Sequence, residues 1–376
     1  MTELHPLESE NRKSLSSANS DKMSAASPKI DTFFIVYGLQ VRIVGPESVV
    51  LNLKQDFSYF SAENAKSSSK PDLTIEIRQH KFIIKPEKFF KTKSYTVYGR
   101  SLQRYVEYSD GSKIIVTQNL IDGRLVSIMT ANLARSYELT YLAMHSFIGE
   151  QLEKQNFLRL HALSFQYSNQ NAMVFLPSGG GKSSLAALML KSDEYKIFSD
   201  EVTLLNDKEV RAYPWRIGLD AVSANKLSVD TSDRRLSQRF DGRAKFLLQI
   251  PMNKVAKTSS FIVDFEFGEA EAATSAHVYW GVFSSAEAPG IRTATRNEKY
   301  RFFCSIVLGQ GLMQMAEFIV RTDNFSQLFR TAIRRAFWAL RQIKNLNVLV
   351  VNRDYDKVLS VLGDDLKSKP AHQPII

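Results

Sequence analysis

Residues 172–190 read Ala172-Met173-Val174-Phe175-Leu176-Pro177-Ser178-Gly179-Gly180-Gly181-Lys182-Ser183-Ser184-Leu185-Ala186-Ala187-Leu188-Met189-Leu190. A short apolar run gives way to three consecutive glycines, then to Lys-Ser-Ser and a strongly helix-forming segment. Strand, glycine loop and helix in that order are the context a phosphate-binding loop requires. Glycines let backbone N–H groups turn inward and approach phosphate oxygens without side-chain interference. The helix adds its N-terminal dipole and its unsatisfied donors. On this reading Ser178, Gly179, Gly180, Gly181, Lys182, Ser183 and Ser184 hold nucleotide phosphates. Lys182 bridges the β- and γ-phosphates, and the Ser183 hydroxyl ligates Mg²⁺. The strict pattern Gly-x(4)-Gly-Lys-[Ser/Thr] asks for glycine at position 176, where this chain has Leu176.

Downstream, residues 195–199 form a strand-like run ending in Asp200-Glu201, 18 residues after Lys182. An acidic pair at a strand terminus holds a metal ion, or supplies a base toward an acceptor hydroxyl. Upstream, His161 lies 21 residues before Lys182, within the strand expected over 157–165. Alternation there puts His161 on the side of Arg159 and Leu163, opposite Leu158, Leu160 and Ala162. Residues 168–171 form a polar turn into the loop strand.

Further out, residues 131–153 take helical spacing, with Leu133, Tyr137, Tyr141, Met144, Ile148 and Leu152 on one face and His145 beside it, packed or half-exposed rather than a ligand. Short strands are expected at 212–218, 247–250 and 261–265. Phe325, Leu328, Phe329, Ala332, Ile333, Ala336, Phe337 and Leu340 share a second helical face, with Arg330, Arg334 and Arg341 away from it, as solvated charge by default and contacts for an anionic ligand as the alternative. That helix runs into a strand at 346–351. Residues 31–130 alternate as a β-rich unit, and Asp110-Gly111 between two such runs signals a hairpin. Residues 1–30 contain seven serines and no aromatic residue. Such a segment buries too little apolar surface to offset its ordering entropy, so it reads as a disordered tail.

The 376 residues suit two domains: the β-rich unit over 31–130 and a catalytic unit over 131–368. Hydrophobic residues make up 44% and charged residues 23%, ordinary globular values that leave a core available. The single cysteine, Cys304, excludes an internal disulfide framework and a multi-thiolate zinc site. No run of about 20 apolar residues and no secretory leader is visible, so a cytoplasmic protein is expected. A surplus of 49 basic over 39 acidic residues gives +10. The basic residues are scattered, which disfavours nucleic acid; membrane headgroups and an acidic substrate such as a nucleotide both stay compatible with the surplus. His-Glu-x-x-His and Gly-x-Ser-x-Gly are absent, and Gly309-x-Gly311 lacks the third glycine of a dinucleotide fingerprint.

The ordered set of His161, Pro-Ser-Gly-Gly-Gly-Lys-Ser-Ser at 177–184 and Phe-Ser-Asp-Glu at 198–201 resembles the catalytic core of HPr kinase/phosphorylase and its relatives. These share the phosphoenolpyruvate-carboxykinase-like P-loop fold. The resemblance covers about 50 residues, roughly 155–205. It implies an α/β fold with a P-loop kinase core and transfer of the γ-phosphoryl group of ATP, with Mg²⁺, to a hydroxyl. The acceptor implied is a serine of a peptide or protein, or else a small molecule. Carried over by position, Lys182 and Ser183 hold nucleotide and metal. Asp200 is the candidate general base, Glu201 a metal ligand (or the two reversed), and His161 a residue on the phosphate side. The family's second signature has a loose echo in Pro214-Trp215-Arg216-Ile217-Gly218, and Lys245 is a further candidate for contacting the transferred phosphate. An ATPase and a non-catalytic nucleotide sensor are the rival readings.

Overall fold

The computed structural model describes residues 28–57, 60, 70–78, 88–91, 95–99, 103–119, 123–130, 132–177, 179–206, 210–213, 217–220, 259–262, 276–308 and 325–369. Ser178, Lys245, residues 214–216, the strand expected at 247–250, the Gly309-x-Gly311 segment and residues 1–27 of the expected tail lie outside them, whereas Lys29 and Ile30, also placed in that tail, open the first strand.

Eight strands form the N-terminal sheet: β1 (Lys29–Val36), β2 (Leu39–Pro46), β3 (Leu73–Arg78), β4 (Lys88–Lys91), β5 (Tyr95–Tyr98), β6 (Gln103–Tyr108), β7 (Lys113–Asn119) and β8 (Gly123–Met129). Their order is β1-β2-β3-β8-β7-β6-β5-β4. Tyr37-Gly38 joins β1 to β2 with φ of 50° and 86°, the paired positive values a two-residue hairpin needs. Asp110-Gly111 turns β6 into β7 as expected, with Asp110 Oδ1 accepting from the Ser112 N–H at 2.9 Å. Helix α1 (Glu47–Asp56) crosses from β2 to the parallel β3. Helix α2 (Leu133–Lys154) packs Leu139, Ala143, Met144, Phe147, Ile148 and Leu152 into the same core as Val41, Ile43, Leu53 and Ile75.

The remaining strands among the described residues are β9 (Leu158–Leu160), β10 (Leu163–Tyr167), β11 (Gln170–Phe175), β12 (Tyr195–Ser199), β13 (Thr203–Leu205), β14 (Val210–Arg211), β15 (Ile217–Asp220), β16 (Ser259–Ile262), β17 (His277–Phe283), β18 (Gly290–Thr293) and β19 (Asn347–Val351). Six of them build a mixed sheet in the order β12-β10-β11-β17-β19-β18. Its centre, β11-β17-β19, is parallel. Both β11 and β12 pair antiparallel with β10, so they run in one direction and end at one edge. Helices α3 (Lys182–Met189) and α6 (Tyr355–Ser368) cover one face through Leu185, Met189, Val358 and Leu362. Helices α4 (Arg296–Leu308) and α5 (Phe325–Ile343) cover the other through Phe302, Ile306 and Ala339. A three-stranded sheet, β14-β13-β9, lies between the two larger ones, with Leu204 in the N-terminal core and Leu158, Leu160 and Leu205 in the core under α4 and α5. The molecule is thus mixed α/β, with several sheets. No helix among the described residues is long and apolar enough to cross a membrane.

Two expectations need correction, and the orientation of one helix was left open by the sequence. The strand over 157–165 is two strands in two sheets, broken at His161-Ala162. The run over 212–218 is no single strand, since β14 ends at Arg211 and β15 starts at Ile217. The apolar face of α5 is turned outward: Phe329, Ile333, Phe337 and Leu340 are exposed, while Thr331, Arg335 and Ala339 are buried. Periodicity reads the width of an apolar stripe but not which side of a helix carries the partners of a buried carboxylate.

Candidate functional site

The glycine loop leaves the C-terminal end of β11. Leu176 continues the strand into the core, 3% exposed, and occupies the space above Gly281 on the neighbouring parallel strand β17. A Cβ on Gly281 would lie 2.2 Å from Leu176 Cδ2. The bulky residue at the loop's first position is therefore accommodated by a missing side chain next door. The Gly180 N–H donates to the Pro177 carbonyl at 2.9 Å. Gly179 and Gly181 sit at φ of 79° and 93°, a left-handed region that residues with a Cβ avoid. Gly181 then caps α3, whose first residues are Lys182, Ser183 and Ser184. Tyr355, opening α6, rests on this loop, its ring and hydroxyl 2.8 Å from where a Gly181 Cβ would stand.

The other site residues lie on two kinks that face each other. On one chain, the Ala162 N–H donates to the Leu160 carbonyl at 3.0 Å, a three-residue turn centred on His161 that switches the chain from β9 to β10. On the other, Ser199 Oγ accepts from the Val202 N–H at 2.9 Å and the Glu201 N–H at 3.3 Å, turning β12 into β13. Ser164 pairs with Ser199 on one side of the kinks and Leu160 with Thr203 on the other. Thr203 Oγ1 closes the gap by donating to the Ala162 carbonyl at 3.1 Å. His161 therefore faces Asp200-Glu201, at the sheet edge where the glycine loop emerges.

Two polar contacts join the pieces. Lys182 Nζ donates to His161 Nε2 at 2.7 Å. His161 Nδ1 donates to the Glu201 carbonyl at 3.0 Å, with the Glu201 carboxylate 3.2 Å away. This pattern is that of a neutral imidazole with its proton on Nδ1. Ser183 Oγ donates to Asp200 Oδ2 at 2.7 Å. Asp200 is 1% exposed, and its Oδ1 has no partner among the described residues. Burial pushes the Asp200 carboxyl up to about 6, against the nearby charge of Lys182 and the Ser183 hydrogen bond. For Glu201 burial acts in the same direction but is outweighed by the His161 hydrogen bond and the Lys182 charge, so its carboxyl falls below the ordinary value. The Glu201 side chain keeps 40% exposure.

Among the described residues no cluster of three or more His, Cys, Asp or Glu side chains is arranged to hold a metal ion. What exists is a hydroxyl and a carboxylate with one oxygen unsatisfied. Two hard oxygens are the sparse donor set that suits Mg²⁺ when phosphates supply other ligands, and the orphaned Oδ1 fits such an ion. Of the residues singled out by sequence, Gly179, Gly180, Gly181, Lys182, Ser183, His161, Asp200 and Glu201 come together, and Ser184 is buried on the first turn of α3. Tyr355 and Gly281 were not anticipated, since both reach the loop only through the parallel pairing of distant strands. Comparison of the chain with protein-family models gives no match, and comparison with curated proteins gives none either.

Proposed function

We propose that the chain is an ATP- and Mg²⁺-dependent phosphotransferase with an HPr-kinase/phosphoenolpyruvate-carboxykinase-like P-loop core. Its acceptor is a hydroxyl, foremost a serine of a peptide or protein. One observation carries the reading: the Lys182–His161–Glu201 chain and the Ser183–Asp200 pair meet at the edge where the glycine loop opens. A turn built only for packing has no need of a buried carboxylate with a spare oxygen.

In this reading the loop N–H groups hold the phosphate chain, and Lys182 neutralises the β- and γ-phosphate oxygens. His161 holds the Lys182 ammonium in place through Nε2. Ser183 and Asp200 would hold Mg²⁺, which would supply further charge neutralisation to the phosphates. The acceptor oxygen attacks the γ-phosphorus in line, the bond to the β–γ bridging oxygen breaks, and the hydroxyl proton passes to a carboxylate. Reach decides which carboxylate: Asp200 is sealed from solvent and engaged by Ser183, whereas Glu201 is partly open. The geometry thus supports Glu201 as base and Asp200 on the metal side, the reverse of the first assignment. The openness of Glu201 also favours a second reading, an ATPase in which water replaces the acceptor.

Calorimetric titration with ATP, with and without Mg²⁺, tests the site. Lys182→Ala is expected to weaken binding at least tenfold, and Asp200→Asn to remove the gain that Mg²⁺ confers. Unchanged affinity in Lys182→Ala would contradict the reading.

A further inference from the structure

Helix α5 is mounted with its apolar side in water. Phe329 is 69% exposed, Phe337 63%, Leu340 53% and Ile333 39%. At about 100° per residue these four fall within roughly 80° of arc and about 16 Å of helix. Phe329, Ile333 and Phe337 form one four-residue ridge, the kind that helices pack into a neighbour's groove.

The rotation of α5 is set from inside. Glu153 of α2, its side chain 1% exposed, accepts from Thr331 Oγ1 at 2.8 Å and lies 3.5 Å from Arg335 and 3.2 Å from Arg159. Arg334 donates to the Glu153 carbonyl at 3.4 Å and to the Asn156 carbonyl. Turning the stripe inward would take Thr331 and Arg335 away from a buried carboxylate, so the fold holds the apolar side outward. A contiguous exposed apolar run of this kind marks an interaction surface.

Charge selects the partner. No acidic residue occurs in 325–345. Arg330, Arg341 and Lys344 are exposed and form no ion pair among the described residues. Arg330 and Arg341 follow Phe337 around the helix on one flank, and Ala332 and Ala336 occupy the other. A second copy of the chain laid antiparallel on the stripe, about a two-fold axis across the helix, would set these arginines near their own equivalents, with no acid on the helix to receive them. A helix lying on a bilayer carries basic residues across its polar face. Here that face is turned into the protein toward Glu153.

We propose that the α5 ridge docks an amphipathic helix of a partner protein, with its apolar face on Phe329, Ile333, Phe337 and Leu340 and an acidic flank along Arg330 and Arg341. This holds whether or not the chain transfers phosphate.

The probe is a fluorescein-labelled 18-residue helical peptide with Leu at i, i+4, i+7 and i+11 and Glu along one flank, paired with a version carrying Lys there. Anisotropy with the full chain is expected to show the Glu peptide binding at least tenfold tighter than the Lys peptide. The preference should reverse in Arg330→Glu/Arg341→Glu. Phe337→Ser should weaken binding at least tenfold with its melting temperature unchanged; Leu340→Ser serves in its place if Phe337→Ser alters the fold. Three results would each overturn the proposal. The first is absent or charge-blind peptide binding. The second is Phe337-dependent binding to phosphatidylglycerol vesicles without peptide binding. The third is a dimer in sedimentation that Phe337→Ser dissociates.

Discussion

Asp200 is a carboxyl group held where water does not reach, and its position has a thermodynamic consequence. Its folded-state value of about 6 lies above the ordinary 3.8, so the folded chain binds this proton more tightly than the unfolded chain. Stability therefore falls as pH rises from about 4 to 6, and the cost is complete above that window. At neutral pH it amounts to roughly 3 kcal/mol. Asp200→Asn keeps an acceptor for Ser183 and removes the charge. It is expected to raise the melting temperature of the ligand-free protein at pH 7.5, with the gain vanishing near pH 4. A pH-independent difference in a series of thermal melts would contradict this. At this scale the site was largely legible, because three glycines before Lys182-Ser183 and an acidic pair at a strand end carry their chemistry in residue type. The division of labour between Asp200 and Glu201 was not, since it depends on which carboxylate Ser183 touches.

Among elements, β11 and β17 share a fitted contact. Leu176 takes the first loop position because Gly281 leaves room for it. Gly281→Ala is expected to cost about 1–3 kcal/mol through overpacking. Leu176→Ala alone is expected to cost about 2–5 kcal/mol as a cavity. The double variant should lose less than the sum, the mark of residues in contact. Denaturant midpoints of the four proteins check this, and strict additivity would refute the contact. Sequence alone shows Leu176 only as a departure from a pattern, because the compensating glycine lies in another strand. The break at His161 was hidden for a related reason: the residues around it alternate as one strand would, and only pairing with the Ser199–Thr203 turn reveals the kink. The outward face of α5 was not legible because Glu153, which sets its rotation, is far away in sequence.

Across the molecule, Glu153 ties α2, which belongs to the N-terminal core, to β9 through Arg159 and to α5 through Thr331 and Arg335. Arg159 lies across α2 at Gly149, where a Cβ would overlap its guanidinium at 1.9 Å. Glu153→Ala leaves two arginines buried beside an empty place. It is expected to cost about 3–5 kcal/mol, measured as a fall in the denaturant midpoint. A loss under 1 kcal/mol would show that water serves these arginines as well. The central claim is phosphoryl transfer by the cluster around Lys182. It is tested most directly by following γ-labelled phosphate from Mg-ATP into a size-fractionated lysate of the source cells, with Lys182→Ala and Glu201→Gln as controls. The account predicts label on a peptide or protein hydroxyl, lost in Lys182→Ala and in Glu201→Gln while Glu201→Gln still binds ATP. Label appearing only as free phosphate, or equally with Lys182→Ala, would contradict it.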